Sequence, residues 1–131
     1  MAHRQIIAAP DIPEHPQPFP TAVRVGNVIF SSSISGKEGN SGEASDDLET
    51  QVARAFTNMR RVVEEGGGST GDIGKVVVYL RDRKHRDVVN KEWIKMFPDE
   101  LDRPVRHTVA TDLSGKLQIQ LEFIAVVRDA G

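Results

Sequence analysis

The fold is decided near the C-terminus by two stretches, Arg-Pro-Val-Arg-His-Thr-Val at residues 103–109 and Leu-Gln-Ile-Gln-Leu-Glu-Phe-Ile-Ala at residues 117–125. Side chains of a strand point alternately to opposite faces, and the second stretch alternates apolar and polar residues up to position 123. Between the two stands Asp-Leu-Ser-Gly-Lys at residues 112–116, which is typical of a turn. The sequence therefore predicts a C-terminal β-hairpin.

This predicted hairpin brings a cation and a carboxylate together. If the turn is centred on Ser114, Arg106 pairs directly with Glu122 on the sheet face that points away from the helices. Such a pair is either a surface salt bridge or a site for a small anion and a water molecule. Thr108 shares the Arg106 face, whereas His107 falls on the other face, where packing within the sheet is its expected role.

Composition narrows the class of protein. The 131 residues fit a single domain, 1–131, and the net charge of −2 gives no general attraction to nucleic acid or anionic membranes. The absence of cysteine excludes disulfides, thiolate nucleophiles and cysteine-ligated zinc, and the four histidines lack the spacing of metal ligands. Neither an apolar run long enough to span a membrane nor a signal sequence is present. We therefore expect a cytoplasmic protein without a metal site.

The pattern along the chain predicts the element order β-ββ-α-β-α-ββ. Gly26-Asn27 is a hairpin signal between two strands, and a continuous apolar run at residues 75–80 predicts a strand buried on both faces. Apolar residues at helical spacing predict the two helices. The predicted strands are 3–8, 22–25, 28–33 and 75–80 besides the two C-terminal stretches, the predicted helices are 46–65 and 84–97, and residues 35–45 are a predicted mobile loop.

This order predicts an α+β domain, with a mixed sheet and both helices packed on one face. The second face of such a sheet is left uncovered. On that face Ile124 and Val126 follow Glu122, and burying apolar surface contributes about 25 cal/mol per Å². The sequence therefore predicts that another copy of the chain covers this face in a homo-oligomer.

The chain also resembles the Rid/YjgF family of reactive-intermediate (imine and enamine) deaminases over nearly its whole length. The residues that carry the resemblance are Pro18-Phe19, Ala22–Asn27, the serines after the third strand, Gln51, Asn58-Met59, Asp72–Val76, Val89-Asn90, Arg103–Arg106 and Glu122–Ala125. The resemblance implies a chorismate-mutase-like fold, a homotrimer and active sites in clefts between subunits. It implies hydrolysis of a carboxylate-bearing imine or enamine, a 2-imino acid or an aminomuconate-like compound, to a 2-oxo acid and ammonia, without a metal or organic cofactor.

The resemblance also gives roles to single residues. Arg106 matches the arginine that grips the substrate carboxylate, which suits a planar guanidinium with two parallel donors, and Glu122 matches the glutamate that positions the attacking water. Ser32, Phe19 and Asn90 match residues that line the pocket, and Thr108 is expected to line the cleft. Each has a plainer alternative: a salt bridge for Arg106 and Glu122, a capped strand end for Ser32, and a local helix hydrogen bond for Asn90.

Three departures from the family pattern leave a second function open. Phe19 stands where tyrosine is usual, and Ser33-Ile34 replaces Gly-Gln. These changes remove one donor and add bulk, so the alternative is a trimer that binds small carboxylates without catalysis. A ribonuclease is disfavoured, because the sequence has neither a basic patch nor an aromatic platform for bases.

Overall fold

Seven strands and two α-helices occupy residues 3–39 and 42–128, the parts of the chain that the computed structural model describes. The predicted element order is confirmed, except that the third strand breaks into two pieces. A short 3₁₀ turn precedes each of β5 and α2. The elements are β1 (Gln5–Ile7), β2 (Ala22–Val25), β3 (Val28–Ser31), β4 (Ile34–Ser35), α1 (Leu48–Glu65), β5 (Ile73–Leu80), α2 (Arg86–Met96), β6 (Val105–Ala110) and β7 (Ile119–Val126).

The strands form one mixed sheet in the order β1-β2-β3-β7-β5-β6, with β4 pairing β7 beyond the end of β3. Only β5 and β6 run parallel among the described pairs. The predicted C-terminal hairpin is wrong, because β5 lies between β6 and β7. Val76 pairs with Arg106 on one side and Phe123 on the other, and Val77 likewise joins His107 to Glu122.

Both helices pack on one face of this sheet, as predicted. The hydrophobic core lies between the helices and the sheet. Alternate residues of the central strands are fully buried there, and the intervening ones point to the other face, here called the open face. The prediction that β5 is buried on both faces is wrong for the single chain, because no layer built from residues 3–39 and 42–128 covers the open face. The buried central residues are Val76, Val78, Leu80, Ile119, Leu121 and Phe123.

Helix α1 begins and ends where local chemistry requires it. The Asp47 carboxylate accepts a hydrogen bond from the Thr50 amide at 3.0 Å and so caps the N-terminus. At the other end Gly67 has φ +93°, a conformation that favours glycine and ends the helix. Gly66 is needed for a different reason, since a Cβ there would stand 2.7 Å from the Cδ1 atoms of Ile29 and Ile7.

The proline-rich segment between β1 and β2 is fastened to the rest of the domain. Ile12 is buried, and Asp11 forms an ion pair with Arg61 of α1 at 2.6 Å. The Thr21 hydroxyl donates to the Pro13 carbonyl oxygen at 2.7 Å. The segment therefore holds Phe19 at a fixed place beside the sheet. The predicted loop at 35–45 contains the end of β4 and a Lys37–Ala44 bridge, and residues 40 and 41 lie outside the described residues.

Candidate functional site

Arg106 lies on β6, the edge strand, and its side chain faces helix α2. Its Nη2 donates to Asn90 Oδ1 at 2.7 Å, and its Nε donates to Thr108 Oγ1 at 3.2 Å. The guanidinium carbon lies 5.0 Å from the centroid of the Trp93 ring, a cation–π contact. Asn90 thus makes a contact to another element, not the local helix bond that was its plainer alternative. Thr108 shares the Arg106 face, as predicted.

The charge of Arg106 is not matched by an acid. Burial lowers the pKa of its guanidinium, and repulsion from Arg86 lowers it further, although an arginine stays protonated in proteins. No ion pair to Arg106 forms within the described residues, so the alternative of a salt bridge between Arg106 and Glu122 is not met there. A half-buried cation held only by neutral groups is a good binding site for an anion.

An open cavity of about 420 Å³ lies in front of this guanidinium. Its walls combine apolar and cationic groups, and none of the residues that line it is acidic. The lining residues are Asn90, Trp93, Ile94, Arg103, Pro104 and Arg106. We call Asn90, Trp93, Arg103, Arg106 and Thr108 the arginine half-site.

Glu122 lies on the open face, on the opposite side of the sheet from Arg106. The prediction that the two side chains stand side by side is therefore wrong, because β5 separates their strands and the register turns them to different faces. The Tyr79 hydroxyl donates to Glu122 Oε1 at 3.2 Å. The pKa of Tyr79 is raised, first by burial and then by the charge of Glu122, so this phenol keeps its proton and remains a donor. His107 is exposed on this same face.

A second cavity, of about 370 Å³, adjoins this face and is lined by His15, Phe19, Ser33 and Gln120 among others. The pairs Phe30–Ile124 and Ile34–Leu121 bracket the irregular segment 31–33, which therefore runs beside Glu122. The Phe19 ring is 47% exposed and lies 4.7 Å from the His15 ring. His15 Nε2 donates to the Ser33 carbonyl oxygen at 2.9 Å.

The contact made by Ser32 is the one expected from its plainer alternative, a capped strand end. Its hydroxyl donates to the Thr21 carbonyl oxygen at 2.8 Å and so closes the end of the β2–β3 hairpin. We call His15, Phe19, Ser33, Tyr79 and Glu122 the glutamate half-site. The sequence thus predicted three members of the arginine half-site, Asn90, Arg106 and Thr108, and two of the glutamate half-site, Phe19 and Glu122, but it wrongly placed Arg106 and Glu122 together in one chain.

Four members of the half-sites were missed from the sequence. Trp93 is an apolar residue of α2 that is buried in the core, and it lies three residues after Asn90 and therefore on the same face of the helix. Tyr79 and Arg103 stand in stretches that were recognised for other reasons, and their side-chain contacts depend on strand order. His15 had no sequence signal, because its contacts to Phe19 and Ser33 follow from the path of the proline-rich segment.

The described part of the chain contains no group of three or more histidine, aspartate or glutamate residues arranged to hold a metal ion. None of its helices has the length and apolar character needed to cross a membrane.

Comparison with known proteins gives a consistent answer. A family model described as endoribonuclease L-PSP matches residues 10–127. A protein of Dermatophagoides farinae named 2-iminobutanoate/2-iminopropanoate deaminase is 29% identical over 129 residues, covering 97% of this chain and 99% of the relative. The crystal structure of the YjgF gene product from E. coli superimposes with a TM-score of 0.86 at 28% identity, covering 95% of this chain and 99% of that one.

A second solved structure, E. coli TdcF with bound serine, gives a TM-score of 0.87 at 25% identity, with 95% of this chain and 99% of that chain covered. These likenesses extend over almost the full length of both partners, and the solved structures share the two helices on a mixed sheet. The chain therefore belongs to the Rid/YjgF family and has its chorismate-mutase-like fold.

Proposed function

We propose that this protein is a cofactor-independent hydrolytic deaminase that converts a carboxylate-bearing imine or enamine to a 2-oxo acid and ammonia. The observation that carries the proposal is the state of Arg106: half-buried, held by Asn90, Thr108 and Trp93, and free of any acidic partner in residues 3–39 and 42–128. A guanidinium in that state binds a carboxylate with two parallel charge-assisted hydrogen bonds. The names of the imine deaminase relatives agree with a substrate of this kind.

The reaction needs Glu122 as well as Arg106, and in one chain these groups point to opposite faces of the sheet. We infer that each active site is shared: the arginine half-site of one protomer meets the glutamate half-site of its neighbour. A closed ring of like interfaces builds the homotrimer that the resemblance implies.

The open face supports this assembly. Five apolar side chains on it are between 40% and 70% exposed in the single chain. These residues are Ile6, Phe30, Val105, Ile124 and Val126. Val23 of β2 joins Ile6 to Phe30 and Ile124 in one row across the sheet, and Val126 follows on β7, so these residues form an apolar surface of the kind that marks a protein interface. Lys75 of β5 separates Val105 from this row.

In the proposed mechanism Arg106 binds the carboxylate and fixes the adjacent carbon–nitrogen double bond in the cleft. Glu122 takes one proton from a water molecule while the water oxygen bonds to the imine carbon, and it passes this proton to the nitrogen, which gives a carbinolamine. Glu122 then takes the proton of the new hydroxyl group and delivers it to the amino group, so that the carbonyl group forms as the carbon–nitrogen bond breaks and ammonia leaves. General acid–base help of this kind gives about 10²- to 10⁴-fold acceleration. The Tyr79 hydroxyl keeps the Glu122 carboxylate oriented as a proton acceptor.

A binding function without catalysis has one specific observation in its favour. The Ser32 hydroxyl already donates to Thr21, and Phe19 has no hydroxyl, so neither side chain offers a free proton near the leaving nitrogen. The same cleft would then hold a 2-oxo acid or a similar carboxylate in a stable complex.

The test is an imine assay. An amino acid oxidase generates 2-iminobutanoate from 2-aminobutanoate, and semicarbazide traps the imine that remains. We expect the wild-type protein to reduce trapping and Arg106→Ala to lose that effect by about 100-fold or more, since it removes a charge-assisted contact and leaves a desolvated carboxylate. Arg60→Ala is the matched control, because Arg60 is exposed on α1.

Calorimetry with 2-oxobutanoate separates the two functions. Tight binding by a wild-type protein that does not change the rate of imine decay would favour the binding function and reject the deaminase. Equal imine rates for wild type and Arg106→Ala would reject the role of Arg106 itself.

A further inference from the structure

The cavity of the arginine half-site contains a second guanidinium that the proposed mechanism does not use. Arg103 Nε donates to the Phe97 carbonyl oxygen at 2.8 Å, just after the last turn of α2. This hydrogen bond fixes one edge of the planar Arg103 guanidinium group. Its two terminal nitrogens have no protein partner in the described parts of the chain, and the side chain lines the cavity together with Arg106.

Positive charge is gathered at this cavity, although the chain has a net charge of −2. Two arginines elsewhere form ion pairs with acids, Arg61 with Asp11 and Arg128 with Asp72. At the cavity neither Arg103 nor Arg106 has an ion-pair partner within the described residues, and Arg86 is close enough to lower the pKa of Arg106. Like charges so placed repel one another, so a ligand with more than one negative charge would stabilise the site.

The spacing of the two arginines fits such a ligand. Asn90 and Trp93 of α2 hold Arg106, and the carbonyl group of Phe97 holds Arg103. Phe97 follows Trp93 by four residues and Asn90 by seven. At 1.5 Å per residue this is about 6 to 10 Å along the helix axis. The face of Trp93, with Ile94 and Pro104, lines the cavity that both arginines reach and offers an apolar surface to a short carbon chain.

We propose that the substrate is the imine or enamine of a dicarboxylic acid. Arg106 grips the carboxylate next to the carbon–nitrogen double bond, and Arg103 binds the distal carboxylate. This inference rests on the proposed function for its reaction, but it assigns a specificity-determining residue and a substrate class that the general reaction does not require.

The test compares two imines that differ by one carboxylate: 2-iminobutanoate, and 2-iminoglutarate made from L-glutamate by a glutamate oxidase. We expect the wild-type protein to prefer 2-iminoglutarate by about 10- to 100-fold in kcat/KM, the usual range for one hydrogen-bonded charge. Arg103→Gln should abolish this preference by lowering kcat/KM for 2-iminoglutarate to the level of 2-iminobutanoate. Arg103→Lys keeps the positive charge but not the planar guanidinium, so it should retain part of the preference for 2-iminoglutarate. Arg60→Gln should change neither rate.

Equal wild-type rates for the two imines, or an equal loss of both in a folded Arg103→Gln variant, would overturn the inference. If the wild-type protein accelerates neither imine, the proposed function fails, and binding then decides the inference separately. Tighter calorimetric binding of 2-oxoglutarate than of 2-oxobutanoate, lost in Arg103→Gln, would support a dicarboxylate site. Equal binding of the two acids would reject it.

Discussion

At the scale of single residues, the neutral partners of Arg106 decide what the guanidinium can bind. Asn90 Oδ1 accepts one N–H at 2.7 Å and Thr108 Oγ1 accepts another at 3.2 Å, which orients the fork without cancelling its charge. An acidic side chain in either position would instead form a permanent ion pair with the guanidinium. In the proposed site, the amide of Asn90 therefore positions the guanidinium that binds the carboxylate.

This leads to a prediction about two substitutions at Asn90. Asn90→Ala removes the positioning bond, and we expect KM to rise by about 10-fold with a smaller effect on kcat. Asn90→Asp is nearly isosteric but places a carboxylate against the guanidinium, so it competes with the substrate and should raise KM further. Steady-state kinetics with one imine measure both effects.

Lys91→Ala is the control, since Lys91 is the next residue on α2 and is exposed. An Asn90→Asp variant with a lower KM than Asn90→Ala would show that charge at this position does not matter, contrary to our account.

The sequence correctly predicted which side chains share a face within one strand, but it wrongly predicted which residues of different strands lie side by side. Alternation placed Arg106 with Thr108, and Glu122 opposite the apolar face of β7, and the contacts agree. The alternation of side chains along a strand carries no information on which strand is its neighbour in the sheet. The assumed Arg106–Glu122 pair failed for that reason alone.

At the scale of elements, strand β5 explains the failed hairpin. Parallel pairing with β6 and antiparallel pairing with β7 make β5 an interior strand. A continuous apolar run such as residues 75–80 predicts burial, but it does not reveal which strands lie on either side. The interior strand β7 instead alternates buried and less buried residues, so neither pattern reveals the strand order.

The connection from β6 to β7 is built to pass over the end of β5. Arg81, the residue after β5, donates from its side chain to the carbonyl oxygens of Leu113, Gly115 and Leu117. Its amide also donates to the Gln118 carbonyl oxygen at 3.1 Å. The turn-like residues 112–116 thus wrap around one arginine, a long-range contact that turn propensity does not reveal.

The N-terminus of α1 gives a prediction about pH. The hydroxyl and then the amide of Thr50 lower the pKa of Asp47, so the folded state favours the carboxylate. A carboxyl group whose pKa is lower in the folded state stabilises the protein above its unfolded-state pKa, about 4, and loses that contribution as the pH falls below it. We expect the stability advantage of wild type over Asp47→Asn at pH 7 to shrink at pH 3.

Urea unfolding at the two pH values measures this difference. Asn is a matched replacement, because it also caps helices but does not titrate in this range. An advantage that is the same at pH 3 and pH 7 would mean that the charge of Asp47 contributes nothing to α1.

At the scale of the whole molecule, the sheet separates the two half-sites, and a second copy of the chain is the simplest means of joining them. The apolar open face was predicted from Ile124 and Val126, and both are exposed in the single chain. The resemblance implied active sites between subunits, but the sequence could not predict that Arg106 and Glu122 lie on opposite faces of one chain, because this depends on the position of β5 between β6 and β7.

The most direct test of this account mixes two inactive variants, Arg106→Ala and Glu122→Gln, after dissociation and reassembly. A site shared between neighbours in a three-membered ring pairs an intact arginine with an intact glutamate at one interface of every mixed trimer. Random 1:1 assembly should then restore about a quarter of the wild-type imine deaminase rate. A mixture that assembles into mixed trimers yet remains as inactive as either variant alone would contradict the shared site.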